Sequence, residues 1–519
     1  MKSHLLKLMP YAVALLAAML LAVVEPDLLW TAQDQNLFLH TPLFFEQQMV
    51  RAGGLLTWAC CYLTQFFYYP ALGAALLGLL WVFLLWLLSK AFPLQPSPAT
   101  HHLLPIACLL MTIATMGYWV YYLKLPGAPF VATVGTIVAV LMAWAYRLLP
   151  ARHGLRSAFV PLAACVAYPL FGFYGLWGVA LMALTAWRTA DSHRMADTVL
   201  ALVSIAAVPL AGYHTIYHET NITNVYWAAL PVFNYSGHRF PGYYIPYILL
   251  VSTVALSALK VTSPLPTGRG RGWVLRGWGR VSCVFLLLLS VLVFAFWYRD
   301  DNFHRELAMN RCMDRQDWNG MLSEARRVKG EPTRAICLMR NLALFRTGQT
   351  GNEMSLYRNG SARPDAPFPV RLVHTYGKRL YLEYGIPNYC YRWAMEDGVE
   401  YGWTAERLRL LTLCSLLGGE FTAAQRYINL LKKTDFHGSW ARRYQDMLYR
   451  PPLIAADPAL KPILPLLRSD NFLTSDQSQL EHFLIEHILS SPGETREQQE
   501  LTRFTMQYYR TNRSKIIEP

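Results

Sequence analysis

The first 297 residues are a succession of apolar runs, and no other feature of the chain limits its fold as strongly. A helix crossing the roughly 30 Å hydrocarbon core of a bilayer needs about 20 such residues at 1.5 Å each. Runs of that kind occupy 8–24, 70–90, 103–122, 129–148, 157–172, 173–187, 196–213, 243–261 and 281–297. The apolar stretch from 157 to 187 is divided at Gly172-Phe173-Tyr174-Gly175. The first run reads as a retained span. No small-residue cleavage site ends it, and Glu25-Pro26-Asp27 follows directly.

Charge divides the chain in the same place. Residues 1–297 hold 16 Lys and Arg against 7 Asp and Glu, a net of +9; the remainder holds 31 against 26, a net of +5. The expected fold is all-α: a transmembrane bundle of about nine spans over 1–297, then a soluble helical domain over 298–519. The basic residues of the first part lie in short loops between apolar runs, and no nucleic-acid motif accompanies them. Their expected partner is the lipid bilayer, not a nucleic acid.

Those loops also orient the chain. Lys2, Lys7, Lys90, Arg147, Arg152, Arg156, Arg188, Arg194, Lys260, Arg269, Arg271, Arg276 and Arg280 fall on one set of ends and loops. Arg51, Lys124 and Arg239 fall on the opposite set. Thirteen cations against three place the first set in the cytoplasm by the positive-inside rule. With nine spans, the N-terminus is then cytoplasmic and the C-terminal domain extracytoplasmic.

Two loops on the outer face exceed a simple connection. The first, 25–69, opens with Glu25, Asp27 and Asp34; its apolar part, Gly53 to Tyr69, reads as an interfacial or re-entrant helix, with a tight transmembrane hairpin as the alternative. The second, 214–242, holds His214, His218, Glu219, His238 and Arg239. His214 and His218 share a face if the preceding helix continues through them. With Glu219 they make a zinc-type ligand set, so a divalent metal is the cofactor this loop would take. Enrichment of His, Tyr and Trp at the headgroup level gives the same pattern without a metal.

The order of first span, acidic outer loop, interfacial helix and second span resembles the GT-C class of membrane glycosyltransferases. That resemblance implies a polyprenyl-phosphate-linked sugar donor. It also implies a catalytic carboxylate at Asp34, or at the Glu25/Asp27 pair, taking a proton from the acceptor hydroxyl. Arg239 and His238 would bind the substrate, Arg239 offsetting the charge of the phosphate leaving group. More broadly, Gln33 to Phe38, Gly53-Gly54-Leu55 and Thr64-Gln65-Phe66-Phe67-Tyr68-Tyr69-Pro70 make the chain resemble an uncharacterised family of bacterial polytopic proteins of unknown function. This implies a bacterial inner membrane and no activity.

Beyond Trp297 the apolar residues take three- and four-residue spacing. Gly351, Gly385 and Gly419 stand 34 apart, Asp317 stands 34 before the first, and Arg392-Trp393 aligns with Arg426-Tyr427. This period resembles degenerate tetratricopeptide (TPR) repeats, which implies a solenoid with a protein or peptide ligand on its concave side. Cys312, Cys337, Cys390 and Cys414 lie in this domain, with pairing left open. P-loop, GxGxxG, GxSxG and HExxH motifs are absent. Two functions remain: an outer-face transferase, and a non-enzymatic scaffold of the cell envelope.

Overall fold

A computed structural model describes residues 2–517, apart from 93–99, 116–126, 151–153, 190–191, 219, 236–237, 240, 260–286, 361, 363–372, 469–487 and 489–492. The regular structure of the described chain is helical, save for a two-residue antiparallel ladder pairing Asn234–Tyr235 (β1) with His238–Arg239 (β2) and an isolated bridge between Thr333 and Ala362. It forms two compact units. The first comprises residues 1–26, 41–117 and 122–298, the second 27–40, 118–121 and 299–519. Residues 27–40, drawn from the loop after the first apolar helix, therefore belong with the C-terminal part.

Each apolar run of the first unit carries a helix in its described part. They are α1 (Lys2–Val24), α5 (Pro70–Ala91), α6 (Thr100–Ala114), α7 (Ala128–Leu148), α8 (Leu155–Phe171), α9 (Phe173–Arg188), α10 (Arg194–Thr215), α11 (Ile245–Ala258) and α12 (Leu287–Phe296). Short helices α2 (Pro26–Asp34), α3 (Pro42–Met49) and α4 (Gly54–Gln65) lie between the first two runs.

The expected count of nine spans is corrected. Among the described residues, three helices are long and apolar enough to cross a membrane: α5, α7 and α10. A fourth is reached only if α1 and α2, bent by 83° at Glu25, are counted as one span. The others fall short for local reasons. Gly172, outside ordinary helical geometry at φ 57° and ψ −131°, parts α8 from α9, leaving pieces of 17 and 16 residues. A 3-10 turn, Pro241–Tyr244, precedes the 14-residue α11. Parts of the runs at 103–122 and 281–297 lie outside the described residues. Only 22% of the apolar window of α10 is buried, with Val199, Leu202, Val203 and Leu210 facing outward. A bare apolar face of that kind suits a lipid environment.

The ends of these helices sort by charge. Arg147 donates from Nη1 to the carbonyls of Ala91 and Lys90, at 2.9 and 3.2 Å, at the C-terminus of α5. Arg156 Nε donates to Leu149 O at 2.8 Å beyond α7, and Arg188 Nη1 to Ser257 O at 2.7 Å near the end of α11. Asp197, in the first turn of α10, accepts from Tyr146 of α7 and Ser157 of α8. The C-termini of α5, α7, α9 and α11 thus share one end with the N-termini of α8 and α10. Guanidinium groups there bind carbonyls left open by the helix ends.

The opposite end holds α4. Gly53 N donates to Pro169 O at 2.9 Å, beside the end of α8. Phe67, just past α4, lies against Gly73 in α5 and stacks 5.3 Å from Phe130 in the first turn of α7. Both ends of α4 therefore meet helix termini remote from the basic end. At 12 residues α4 is not among the helices long and apolar enough to cross a membrane.

The second unit is a run of helices packed on their sequence neighbours: α13 (Asp301–Asp314), α14 (Trp318–Arg326), α15 (Arg334–Arg346), α16 (Val373–Glu383), α17 (Pro387–Tyr401), α18 (Ala405–Leu417), α19 (Phe421–Leu431) and α20 (Gly438–Tyr449). One turn recurs four times. The N–H groups of Asp317, Gln349, Ile386 and Glu420 each bond the carbonyl five residues back, at 2.9, 2.8, 2.8 and 2.8 Å. The residue before each has positive φ: Gln316, Gly348, Gly385 and Gly419. This geometry stops a helix and closes its last carbonyls. The repeat expected at Gly351 sits three residues earlier, at Gly348, and a 3-10 turn (Asn352–Leu356) follows it.

Candidate functional site: a buried charge cluster in the second unit

The three carboxylates singled out in the first outer loop part company. Glu25, 4% exposed at the bend after α1, accepts from Trp297 Nε1 at 2.7 Å within the first unit. Asp27 and Asp34 belong to the second unit. Asp27 pairs with Arg311 of α13 at 2.9 Å.

Helix α2 owes its place to its apolar face. Leu28, Leu29, Trp30, Thr31, Gln33 and Asp34 are buried, and Leu37 and Phe38 continue the buried stretch. At roughly 2 kcal/mol per large apolar side chain, their burial offsets a large part of the ordering cost of the segment. The backbone adds two anchors: Ala405 N donates to Asn36 O at 3.2 Å, and His40 N to Lys433 O at 3.2 Å.

Asp34 is thereby delivered, 3% exposed, into a cluster of buried charges. Its Oδ1 lies 2.6 Å from Nη2 of Arg409, in α18. Arg409 turns Nη1 to Asp314 Oδ1 at 2.8 Å, and Arg379 of α16 meets the same oxygen at 2.7 Å. Arg379 continues to Glu383 at 3.6 Å, and Arg346 binds Glu383 at 3.2 Å. A second buried set adjoins it, with Lys378 Nζ 3.0 Å from Asp397 and 3.8 Å from Glu406.

The environments separate these groups. Burial pushes the Asp34 carboxyl up to about 7, against the pull of Arg409. Asp314 is held below the usual carboxylate range: burial works against ionisation, but Arg409 and Arg379 together outweigh it. His437 is driven down to about 3, first by burial and then by Arg409. Its Nε2 lies 3.0 Å from the Gln33 amide nitrogen, which the neutral ring accepts as donor.

Two opposed slopes in stability follow. Asp34 binds its proton more tightly folded than unfolded, so its contribution declines as pH rises from about 4 to 7. His437 does the reverse: its contribution is complete above the unfolded value of 6.5 and is lost as pH falls towards about 3. Between about 4 and 6.5 the two nearly cancel. Asp34→Asn removes one of them. The stability difference between variant and parent should then move in the variant's favour by about 1 kcal/mol per pH unit over that window. Melting temperatures in detergent across the pH range would show this, and a flat difference curve would refute the charge assignment.

The other sequence candidates belong to the first unit. Helix α10 ends at Thr215, so His214 and His218, both exposed, are not carried on one continuing helix. Glu219 lies outside the described residues. Among the described residues no three His, Cys, Asp or Glu side chains gather as a metal site. His238 and Arg239 form β2, and their side chains lie outside the described residues. Sequence reasoning missed Arg409, Asp314, Arg379 and His437. The local signal was the apolar set Leu28, Leu29, Trp30, Leu37 and Phe38 in an otherwise polar loop, which called for a surface to cover it.

A family model described as a family of unknown function, DUF6057, matches residues 2–510. The chain belongs to the DUF6057 family. The match runs through both units and includes the 27–40 segment. No curated protein and no solved structure matches the chain.

Proposed function

We propose that this protein is a non-enzymatic scaffold of the bacterial inner membrane. Its N-terminus is cytoplasmic, and its periplasmic unit of stacked helical hairpins holds a protein or peptide of the cell envelope. One observation carries this reading over a transferase: Asp34 is sealed against Arg409 at 2.6 Å with 3% exposure. A general base has to reach the hydroxyl it deprotonates. Asp27 is committed to Arg311 and Glu25 to Trp297. Four copies of one helix-ending turn support the hairpin stack, whose form resembles TPR domains. Orientation rests on the charge bias of the loops and on Arg147, Arg156 and Arg188 gathered at one end of the first unit.

Reporter fusions after Lys260 and after Asp301 test the topology. A cytoplasmic signal from the first and a periplasmic signal from the second are expected; a cytoplasmic signal after Asp301 would invert the scheme. Chemistry is tested separately with Glu25→Gln, Asp27→Asn and Asp34→Asn. If the scaffold reading holds, membranes carrying each variant at parental abundance keep an unchanged profile of lipid-linked sugars. Loss of one lipid-linked sugar product in a stably folded Asp34→Asn protein would restore the transferase.

A further inference from the structure

We infer that Cys390 and Cys414 form a disulfide in the mature protein, fastening α17 to α18. This goes beyond the scaffold reading but rests on its periplasmic placement of the second unit.

The two cysteines sit on helices that pack against one another. Both are buried, Cys390 completely and Cys414 at 5% exposure. Their thiols lie within hydrogen-bonding reach of each other. The two remaining cysteines of the unit have other neighbours. Cys337 donates its thiol to Gly360 O at 3.6 Å, and Cys312 lies among Asp317, Glu324 and Asp27. Of the six pairings that four cysteines allow, proximity selects Cys390 with Cys414.

Adjacent thiols in a reducing compartment are small packing groups. In an oxidising one they are substrates for disulfide exchange. In that exchange the two S–H bonds break and one S–S bond forms. Two electrons and two protons pass to the disulfide of a thiol–disulfide oxidoreductase, which becomes a dithiol. Timing follows from burial. Desolvation pushes the Cys390 thiol up, away from the reactive thiolate, so oxidation belongs to the stage before α17 and α18 seal the pair. Once closed, the same burial protects the bond from reductants.

The test counts thiols in the full-length protein. Membranes are denatured with maleimide present, with or without prior reduction, and the labelled chain is weighed intact. The chain has nine cysteines, so seven labels without reductant and nine with it are expected. In Cys390→Ser the unreduced count should rise to eight, although one cysteine has been removed. Nine labels without reductant overturn the proposal. A second arm then locates the fault, using purified protein in detergent, reduced and re-exposed to oxidised glutathione. Failure to form a 390–414 cross-linked peptide there faults the thiol geometry. Its formation, together with a cytoplasmic reporter after Asp301, faults the topology instead.

Discussion

Arg409→Met should destabilise the protein by about 3–5 kcal/mol, the range typical of a buried ion pair stripped of one partner. Arg409 stands between two carboxylates, Asp34 at 2.6 Å and Asp314 at 2.8 Å, in a largely buried site. Without it Asp314 keeps Arg379, but Asp34 keeps no cation at pairing distance among its described contacts. The variant can hide Asp34 only by protonating it, which becomes harder as pH rises. Because the parent carboxyl itself keeps its proton below about 7, the deficit should be nearly flat from pH 5 to 7 and should grow by roughly 1.4 kcal/mol per unit above that. Asp34→Asn added to Arg409→Met should recover most of the loss, because the stranded charge is gone. Hydrogen exchange adds a local readout: residues 27–40 should open first, with Leu28, Trp30 and Phe38 losing protection together. Equal losses in the single and double variants would refute Arg409 as the partner that holds Asp34.

That experiment concerns a pairing no local pattern could have revealed. Asp34 and Arg409 are 375 positions apart, and Glu25 and Trp297 are 272 apart. A carboxylate after a first span looks the same whether it meets substrate, water or a distant arginine. Local and periodic features were legible. Each of the nine apolar runs is helical over most of its described residues, the division at Gly172 is real, and Gly385 and Gly419 end helices as the 34-residue spacing implied. Legibility failed where length or continuity decides. An apolar run announces a helix, yet the pieces on either side of Gly172, at 17 and 16 residues, and α11, at 14 after the turn at Pro241–Tyr244, fall below a full crossing. His214 and His218 have helical spacing, but the helix stops at Thr215 before the second is reached. Gly351 has the right period, but Gly348, three residues earlier, takes the turn.

Gly385→Ala and Gly419→Ala should differ sharply, although the two glycines occupy the same place in the repeat. Both have positive φ, +87° and +74°, which by itself costs an alanine about 1–2 kcal/mol. Their surroundings are not equivalent. Nothing lies within 4 Å of a Cβ built on Gly419. A Cβ on Gly385 would fall 2.1 Å from the backbone oxygen of Leu466, whose side chain is fully buried. That oxygen sits at the end of the 3-10 turn Leu464–Leu466, and Arg468 N returns to Gly385 O at 3.2 Å, so the two backbones are joined there. The clash cannot be relieved by turning a side chain. Gly385→Ala must push the 464–468 segment away and break that bond, for a total loss above about 3 kcal/mol. Gly419→Ala should lose only the backbone share. Melting temperature in detergent ranks the variants, and limited proteolysis beyond residue 466 reports whether the segment has come loose. If both variants lose the same small amount, the docking of 464–468 on the Gly385 turn is wrong, whatever the repeat geometry.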